Sequence, residues 1–244
     1  MARGRSLALL LLLVPLAGCG GDADDSELTV LAASSLSDVY QELAATFEDQ
    51  NQADVTFSFG SSTDLAEQAA DGAPGDVLST ADATSMQAAE SAGVTGEVVE
   101  FATNVMVIVT PAGNPAGVES LDDLAGATWV RCADEVPCGR VAQAVLEEND
   151  VAAEPASLEE DARATLDKVV SGEADAGLVY ASDAVAAGNS VGTIEIAGAE
   201  EELTTYFATT LEQSEDAELA QKWVDLVTSE EGRATLTQAG FTLP

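Results

Sequence analysis

The sequence predicts an α/β protein with parallel-type sheets and helices on both faces. Two observations carry that prediction. Short apolar segments rich in β-branched residues alternate with segments whose apolar residues recur at helical spacing. No long repeat or low-complexity linker interrupts the alternation, and the 46% hydrophobic content is that of a globular chain.

The elements follow in order. Leu28–Ala32 is a short apolar strand. After Ser34-Ser35, the residues Leu36, Val39, Tyr40, Leu43 and Phe47 mark a helix that runs to about Asn51. Val55–Phe59 is the second strand, and Gly60-Ser61-Ser62 turns into a helix carrying Leu65 and Ala69. Asp76–Ser79 is the third strand, and Ala83–Ala92 a helix stopped by Gly93. Phe101–Thr110 contains the strongest β-forming run, Val105 to Val109, and ends at Pro111.

A second set begins with a short helix at Leu121–Leu124, a strand at Thr128–Arg131 and a helix at Arg140–Glu148. A helix over Ala162–Ser171, a strand over Ala176–Val179 and a helix over Ser182–Ala187 come next. Strands at Thr193–Ile196 and Thr204–Thr210 precede two closing helices, Glu215–Thr228 and Glu230–Ala239.

The N-terminus carries an export signal. Arg3 and Arg5 lead into the apolar run Leu7–Leu13, too short to span roughly 30 Å of hydrocarbon, and small residues follow. Leu16-Ala17-Gly18-Cys19 resembles a bacterial lipobox, which implies cleavage after residue 18 and a lipid on Cys19. Residues 19–27 read as an acidic tether. The expected location is the outer face of the cell membrane, held by that lipid.

Loss of Arg3 and Arg5 leaves six basic against 44 acidic residues, moving the formal charge from −36 to −38. Such a surface repels nucleic acid and anionic lipid. It fits a saline environment that screens self-repulsion, and equally an ordinary acidic exported protein. Residues 19–244 suffice for one large domain or two small ones. With Cys19 lipidated, Cys132 and Cys138 remain as a pair six positions apart in an oxidising compartment, and a disulfide is expected. There is no histidine, so the commonest metal ligand is missing, and no cofactor is expected.

Two strand-to-helix loops are rich in serine: Ala33-Ser34-Ser35-Leu36 and Gly60-Ser61-Ser62-Thr63. Hydroxyls among the unpaired amides of helix N-termini can hold an anion without a cation. Plain N-capping explains one such loop, but two in consecutive βα units point to a shared site.

Several segments resemble the substrate-binding component of molybdate ABC importers. They are Leu28–Leu36, Phe59–Ala66, Gly72–Leu78, Val136–Gly139, Gly177–Ala184 and Gly240–Pro244, in order along essentially the whole mature chain. The resemblance implies a type II periplasmic-binding-protein fold: two α/β lobes joined by two crossover strands, placed at Val105–Thr110 and Thr204–Thr210. Residues 28–107 and 206–244 then form the first lobe and 108–205 the second. It also implies oxyanion binding by the hydroxyls of Ser35, Ser62 and Tyr180 and the backbone amides of Cys138 and Ala162. The family more often has alanine and valine at those last two positions, but a main-chain donor survives a side-chain change. A disulfide at Cys138 would constrain its loop in a way the common pattern lacks.

The implied function is a monomeric lipid-anchored receptor that captures molybdate and tungstate and delivers them to an ABC importer permease. The chemistry agrees, because a fully deprotonated dianion needs donors only. Sulfate is the nearest rival. Phosphate is partly protonated near neutrality and would want an acceptor, for which Asp64 and Asp161 are available. Arg140 either touches the anion or pairs with an acid, and Tyr180 is either a ligand or core. Ferric-ion capture has only Tyr40, Tyr180 and Tyr206 to draw on. An enzyme is not expected: there is no Ser-His-Asp or Cys-His set, no Gly-x-Ser-x-Gly elbow, no P-loop and no dinucleotide fingerprint, and Lys168 and Lys222 stand far from the serine motifs.

Overall fold

The computed structural model describes residues 26–244, and among them ten strands form two five-stranded sheets. The first sheet contains β1 (Ser26–Ala33), β2 (Ala53–Gly60), β3 (Val77–Thr80), β4 (Val99–Asn104) and β10 (Thr204–Thr210), in the order β2-β1-β3-β10-β4. The second contains β5 (Met106–Pro111), β6 (Trp129–Cys132), β7 (Ser157–Glu159), β8 (Ala176–Tyr180) and β9 (Val191–Glu195), in the order β7-β6-β8-β5-β9. Helices α1 (Ser37–Asn51), α2 (Ser62–Ala70) and α3 (Ala83–Ala92) belong to the first lobe, and α4 (Pro137–Glu148), α5 (Ala162–Val170) and α6 (Ala181–Ala187) to the second. Helices α7 (Ala217–Thr228) and α8 (Glu230–Gln238) return to the first lobe, packing on β10 and α1. Cys19 and the leader lie outside the described residues.

Both sheets are covered on both faces, as the near-continuous apolar strands require. In β1, Leu28, Val30 and Ala32 enter one core while Leu31 enters another on the opposite face. In β5, Met106 and Ile108 face one core and Val107 and Val109 the other.

The pairing differs from a purely parallel sheet. β1 is parallel to β2 and β3, and β6 to β7 and β8. β10 runs antiparallel to β3 and β4, and β5 antiparallel to β8 and β9. Parallel neighbours need a crossover, normally a helix; β5 and β10 instead enter their sheets straight from the other lobe.

The expected single strand over Phe101–Thr110 is divided at Val105. Asn104 is buried there, its Oδ1 accepting from Val105 N at 2.9 Å and its Nδ2 donating to Ser182 Oγ at 2.8 Å. Asparagine is a poor strand former, and here its side chain ties the crossing to the second lobe. Sheet membership therefore changes at Val105 and again between Glu195 and Thr204. Met106 and Val107, grouped with the first lobe on the sequence, pair with Tyr180 and Val179 in the second sheet. Thr204 and Thr205, grouped with the second, pair with Asn104 and Thr103 in the first. β7 escaped the sequence reading because it is three residues long, lies in acidic sequence and leaves Leu158 exposed.

An aromatic cluster anchors the first lobe. Trp223 is fully buried, with ring centroids 5.2 Å from Tyr40, 5.3 Å from Phe47 and 5.6 Å from Phe57. It clamps α7 to α1 and β2, so the C-terminal segment completes the lobe that begins the chain. Trp223→Ala should cost about 3–5 kcal/mol in urea unfolding. A loss below about 1 kcal/mol would show that the cluster does not hold the C-terminal helices in place.

Candidate functional site

Five strand-to-helix junctions from the two sheets meet in one small cavity between the lobes. β1 ends in the 3₁₀ turn Ser34–Leu36, and β2 ends at Gly60 before Ser61 and Ser62. From the second lobe come the start of α4 after β6, the start of α5 after β7, and the end of β8 at Tyr180. The cavity holds about 210 Å³ of atom-free space, its open mouth included. Ser35, Ser62, Cys138, Ala162 and Tyr180 all line it, together with Ser34, Ser61 and Asp161. Asp64 lies outside, in an adjoining depression, and Arg140 does not line the cavity.

The hydroxyls are set up to donate. Ser62 Oγ accepts from Ala81 N at 2.9 Å, which leaves its own proton free. Ser35 Oγ lies 2.8 Å from Tyr206 Oη, and donation by Tyr206 leaves the Ser35 proton free as well. Tyr180 Oη is buried without a hydrogen-bond partner. Burial, reinforced by the neighbouring Tyr206, pushes that phenol well above its usual range, so it keeps its proton. The residue lines the cavity, so the proton is available to a ligand there.

Ser61 has the same character. It occupies the N-cap position of α2, yet its hydroxyl makes no capping bond and has no partner. Sequence reasoning passed over it because a Ser-Ser turn does not reveal which hydroxyl the cap uses. Tyr206 was also missed as a supporting group for Ser35, since its place in β10 gives no sign of a contact across 171 residues.

The amides come from helix starts. Cys138 and Ala162 lie in the first turns of α4 and α5, before any intrahelical acceptor is available. Asp161 caps α5 by accepting from Ala164 N at 2.9 Å, so the Ala162 amide stays available. Around Cys138 the chain is drawn tight. The expected disulfide joins Cys132 to Cys138, with Cα atoms 5.7 Å apart. A Cβ on Gly139 would lie 1.7 Å from the Ala133 carbonyl oxygen, so only glycine lets α4 begin this close to the 133–136 turn. Among the described residues no cationic side chain lines the cavity, so the donors available there are amides and hydroxyls at helix starts.

Asp183 lies beneath this assembly, fully buried in the first turn of α6. Its Oδ2 accepts from Tyr180 N at 3.1 Å, while Oδ1 has no partner. Burial raises its carboxyl from the ordinary 3.8 to about 7; the Tyr180 amide and Arg163 oppose the rise, and Asp161 and Asp38 add to it. Its folded-state value lies above its unfolded one, so the folded chain binds the proton more tightly. The stability this contributes is fully present below about pH 4 and is lost as pH rises toward about 7. Asp183→Asn keeps the acceptor for Tyr180 N and has no proton to lose. Melting temperatures from pH 4 to 8 should show wild type falling relative to Asp183→Asn through that window. Parallel curves would mean that Asp183 is already charged in the fold.

Known proteins resemble this chain over most of its length. Residues 28–242 match the family of bacterial extracellular solute-binding proteins. The molybdate-binding protein ModA of Mycobacterium tuberculosis is 34% identical over 252 aligned positions, covering 98% of this chain and 97% of that protein. Among solved structures, the periplasmic molybdate-binding protein of Azotobacter vinelandii superposes with a TM-score of 0.79 at 21% identity, over 89% of this chain and 99% of that one. The sulfate-binding protein SubI of M. tuberculosis follows with a TM-score of 0.76 at 17% identity, over 88% and 86%. The two structural likenesses establish the two-lobed type II periplasmic-binding-protein fold. The full-length sequence relationship goes further: this chain belongs to the ModA family of bacterial extracellular solute-binding proteins.

Proposed function

We propose that the protein binds molybdate, and tungstate equally, and hands the ion to the permease of an ABC importer. The observation that carries this reading is a small interlobe cavity lined by protonated hydroxyls and helix N-termini, with the Tyr180 hydroxyl buried and unpartnered at its wall. Each bond to a dianion is charge-assisted, worth about 1.5–3 kcal/mol, so a handful offset the ion's dehydration. Ser35, Ser62 and Tyr180 supply hydroxyls, Cys138 and Ala162 supply amides, and Ser61 offers one hydroxyl more. The Cys132–Cys138 bridge limits the freedom of the loop bearing the Cys138 amide, which reduces the entropy lost on binding.

Sulfate is the second reading, favoured by the likeness to a sulfate-binding protein and by a donor set that suits either ion. Molybdate has the same charge and shape but longer bonds to oxygen, so cavity size would separate the two. Phosphate fits less well. Of its two candidate acceptors, Asp64 stands outside the cavity, and Asp161 has one carboxylate oxygen engaged by Ala164 N. The lipobox-like Leu16–Cys19 supports a receptor held at the membrane by a lipid on Cys19, and we read it as a monomer that meets a permease.

Calorimetric titration with molybdate, tungstate, sulfate and phosphate tests the ligand. Molybdate and tungstate should bind alike and far above sulfate; preference for sulfate or phosphate would overturn the reading. Ser35→Ala, Ser62→Ala and Tyr180→Phe should each weaken molybdate binding roughly ten- to a hundredfold. Tyr180→Phe should leave the melting temperature of the ligand-free protein unchanged or higher, because it deletes an unsatisfied polar atom. Wild-type affinity in all three variants would remove these hydroxyls from the site.

A further inference from the structure

Tyr206 lies in β10, one of the two strands that enter a sheet from the other lobe, and its side chain is fully buried. The register between β10 and β4 shifts between Tyr206 and Phe207, an irregularity of the kind that re-aims a side chain. The Tyr206 ring is wedged against Phe241 at a centroid distance of 5.2 Å, Phe101 at 6.0 Å and Tyr180 at 6.2 Å. Its phenol oxygen is thereby held 2.8 Å from Ser35 Oγ. One side chain touches candidate donors of both lobes, Ser35 through its oxygen and Tyr180 through its ring.

The direction of the Tyr206–Ser35 bond decides what Ser35 can offer the cavity. On distance alone either oxygen could donate, but the surroundings are not symmetric. The Asn104 amide stands beside the phenol as well, and the side it presents is nitrogen. Asn104 Oδ1 is occupied by Val105 N at 2.9 Å, while Nδ2 donates to Ser182 Oγ at 2.8 Å and has a second proton to give. A nitrogen donor cannot take the phenol proton. Asp183 is felt by Tyr206 but lies out of bonding reach, since its Oδ1 has no partner. If Ser35 donated to Tyr206, the phenol proton would therefore be left in the core without an acceptor. Ser35 lines the cavity, so its own proton has a destination. Burial drives the Tyr206 phenol well above its usual range and Asp183 adds to the rise, against Ser35 and Asn104, so the proton stays on it.

We propose that Tyr206 is a positioning residue for oxyanion binding: with the Asn104 amide behind it, it donates to Ser35, so that Ser35 presents a proton rather than a lone pair to the ion. This rests on the oxyanion-receptor reading above and adds to it the residue that orients one of its donors. The relay runs from Asn104 to Tyr206 to Ser35 to the ion, and each bond polarises the next. A fully deprotonated ion has no proton to give, so a lone pair aimed at it would repel it. The relay starts at the crossing between the lobes, where Asn104 is fixed by the backbone of Val105, and ends at the cavity wall.

Calorimetric titration with molybdate compares wild type, Tyr206→Phe, Ser35→Ala and the double variant, with melting temperatures of the ligand-free proteins measured alongside. Tyr206→Phe keeps the ring packing and removes only the hydroxyl, and it should weaken binding about three- to tenfold. Ser35→Ala should cost more. Adding Tyr206→Phe to it should then cost less than about twofold further, because the group through which Tyr206 acts is gone. In the ligand-free protein Ser35→Ala strands the Tyr206 proton, so the double variant should melt above Ser35→Ala. Equal penalties for Tyr206→Phe with and without Ser35 would make Tyr206 a packing residue and overturn the proposal. So would wild-type affinity in either single variant. A double variant melting no higher than Ser35→Ala would overturn the assigned direction of the bond. Failure of wild type to bind molybdate would instead overturn the receptor reading, and the role of Tyr206 would fall with it.

Discussion

Holding an anion without spending a cation is the constraint on which the rest of the structure depends. The chain carries 44 acidic residues against 8 basic ones, and its overall field repels any negative ligand. Attraction must come from local dipoles, which act over a few ångströms and must therefore converge. Helix N-termini and hydroxyls do so only if strand-to-helix junctions from two sheets point at one spot. That requirement accounts for the two facing lobes, for the matching positions of β5 and β10 within their sheets, and for the tight turn that Gly139 permits before α4. It also gives the hydroxyls of Ser61 and Tyr180, both on the cavity wall, a group to donate to.

Much of this was legible in the sequence because it rests on local signals. Helical spacing of Val39, Tyr40, Leu43 and Phe47 fixes α1, and the same residues are buried in the fold. Ser-rich loops after β1 and β2 mark two junctions, and the spacing of Cys132 and Cys138 in an exported chain marks their bridge. What escaped depends on partners distant in sequence. Nothing near Asn104 announces that its side chain bonds Ser182 and breaks a valine-rich strand in two. β7 is too short and too acidic to show a period, and the antiparallel entries of β5 and β10 depend on lobe order. For Arg140 the sequence left two roles open; the structure pairs it with Asp82, 58 positions away.

Electrostatics then act at two ranges. At the cavity wall burial keeps the Tyr180 phenol protonated, and beneath it burial raises the Asp183 carboxyl to about 7. At its rim, Arg140 and Arg163 meet carboxylates of the opposite lobe. A cation placed in the cavity would attract many anions indiscriminately.

The most direct measurement is a crystal structure of the protein soaked or grown with molybdate, with the metal located by its anomalous scattering. The account predicts a single ion between the lobes. Its oxygens should lie about 2.7–3.1 Å from the hydroxyls of Ser35, Ser62 and Tyr180 and the amides of Cys138 and Ala162, with no arginine in contact. An ion bound through Arg140 or Arg163, or lodged outside the interlobe cavity, would contradict it.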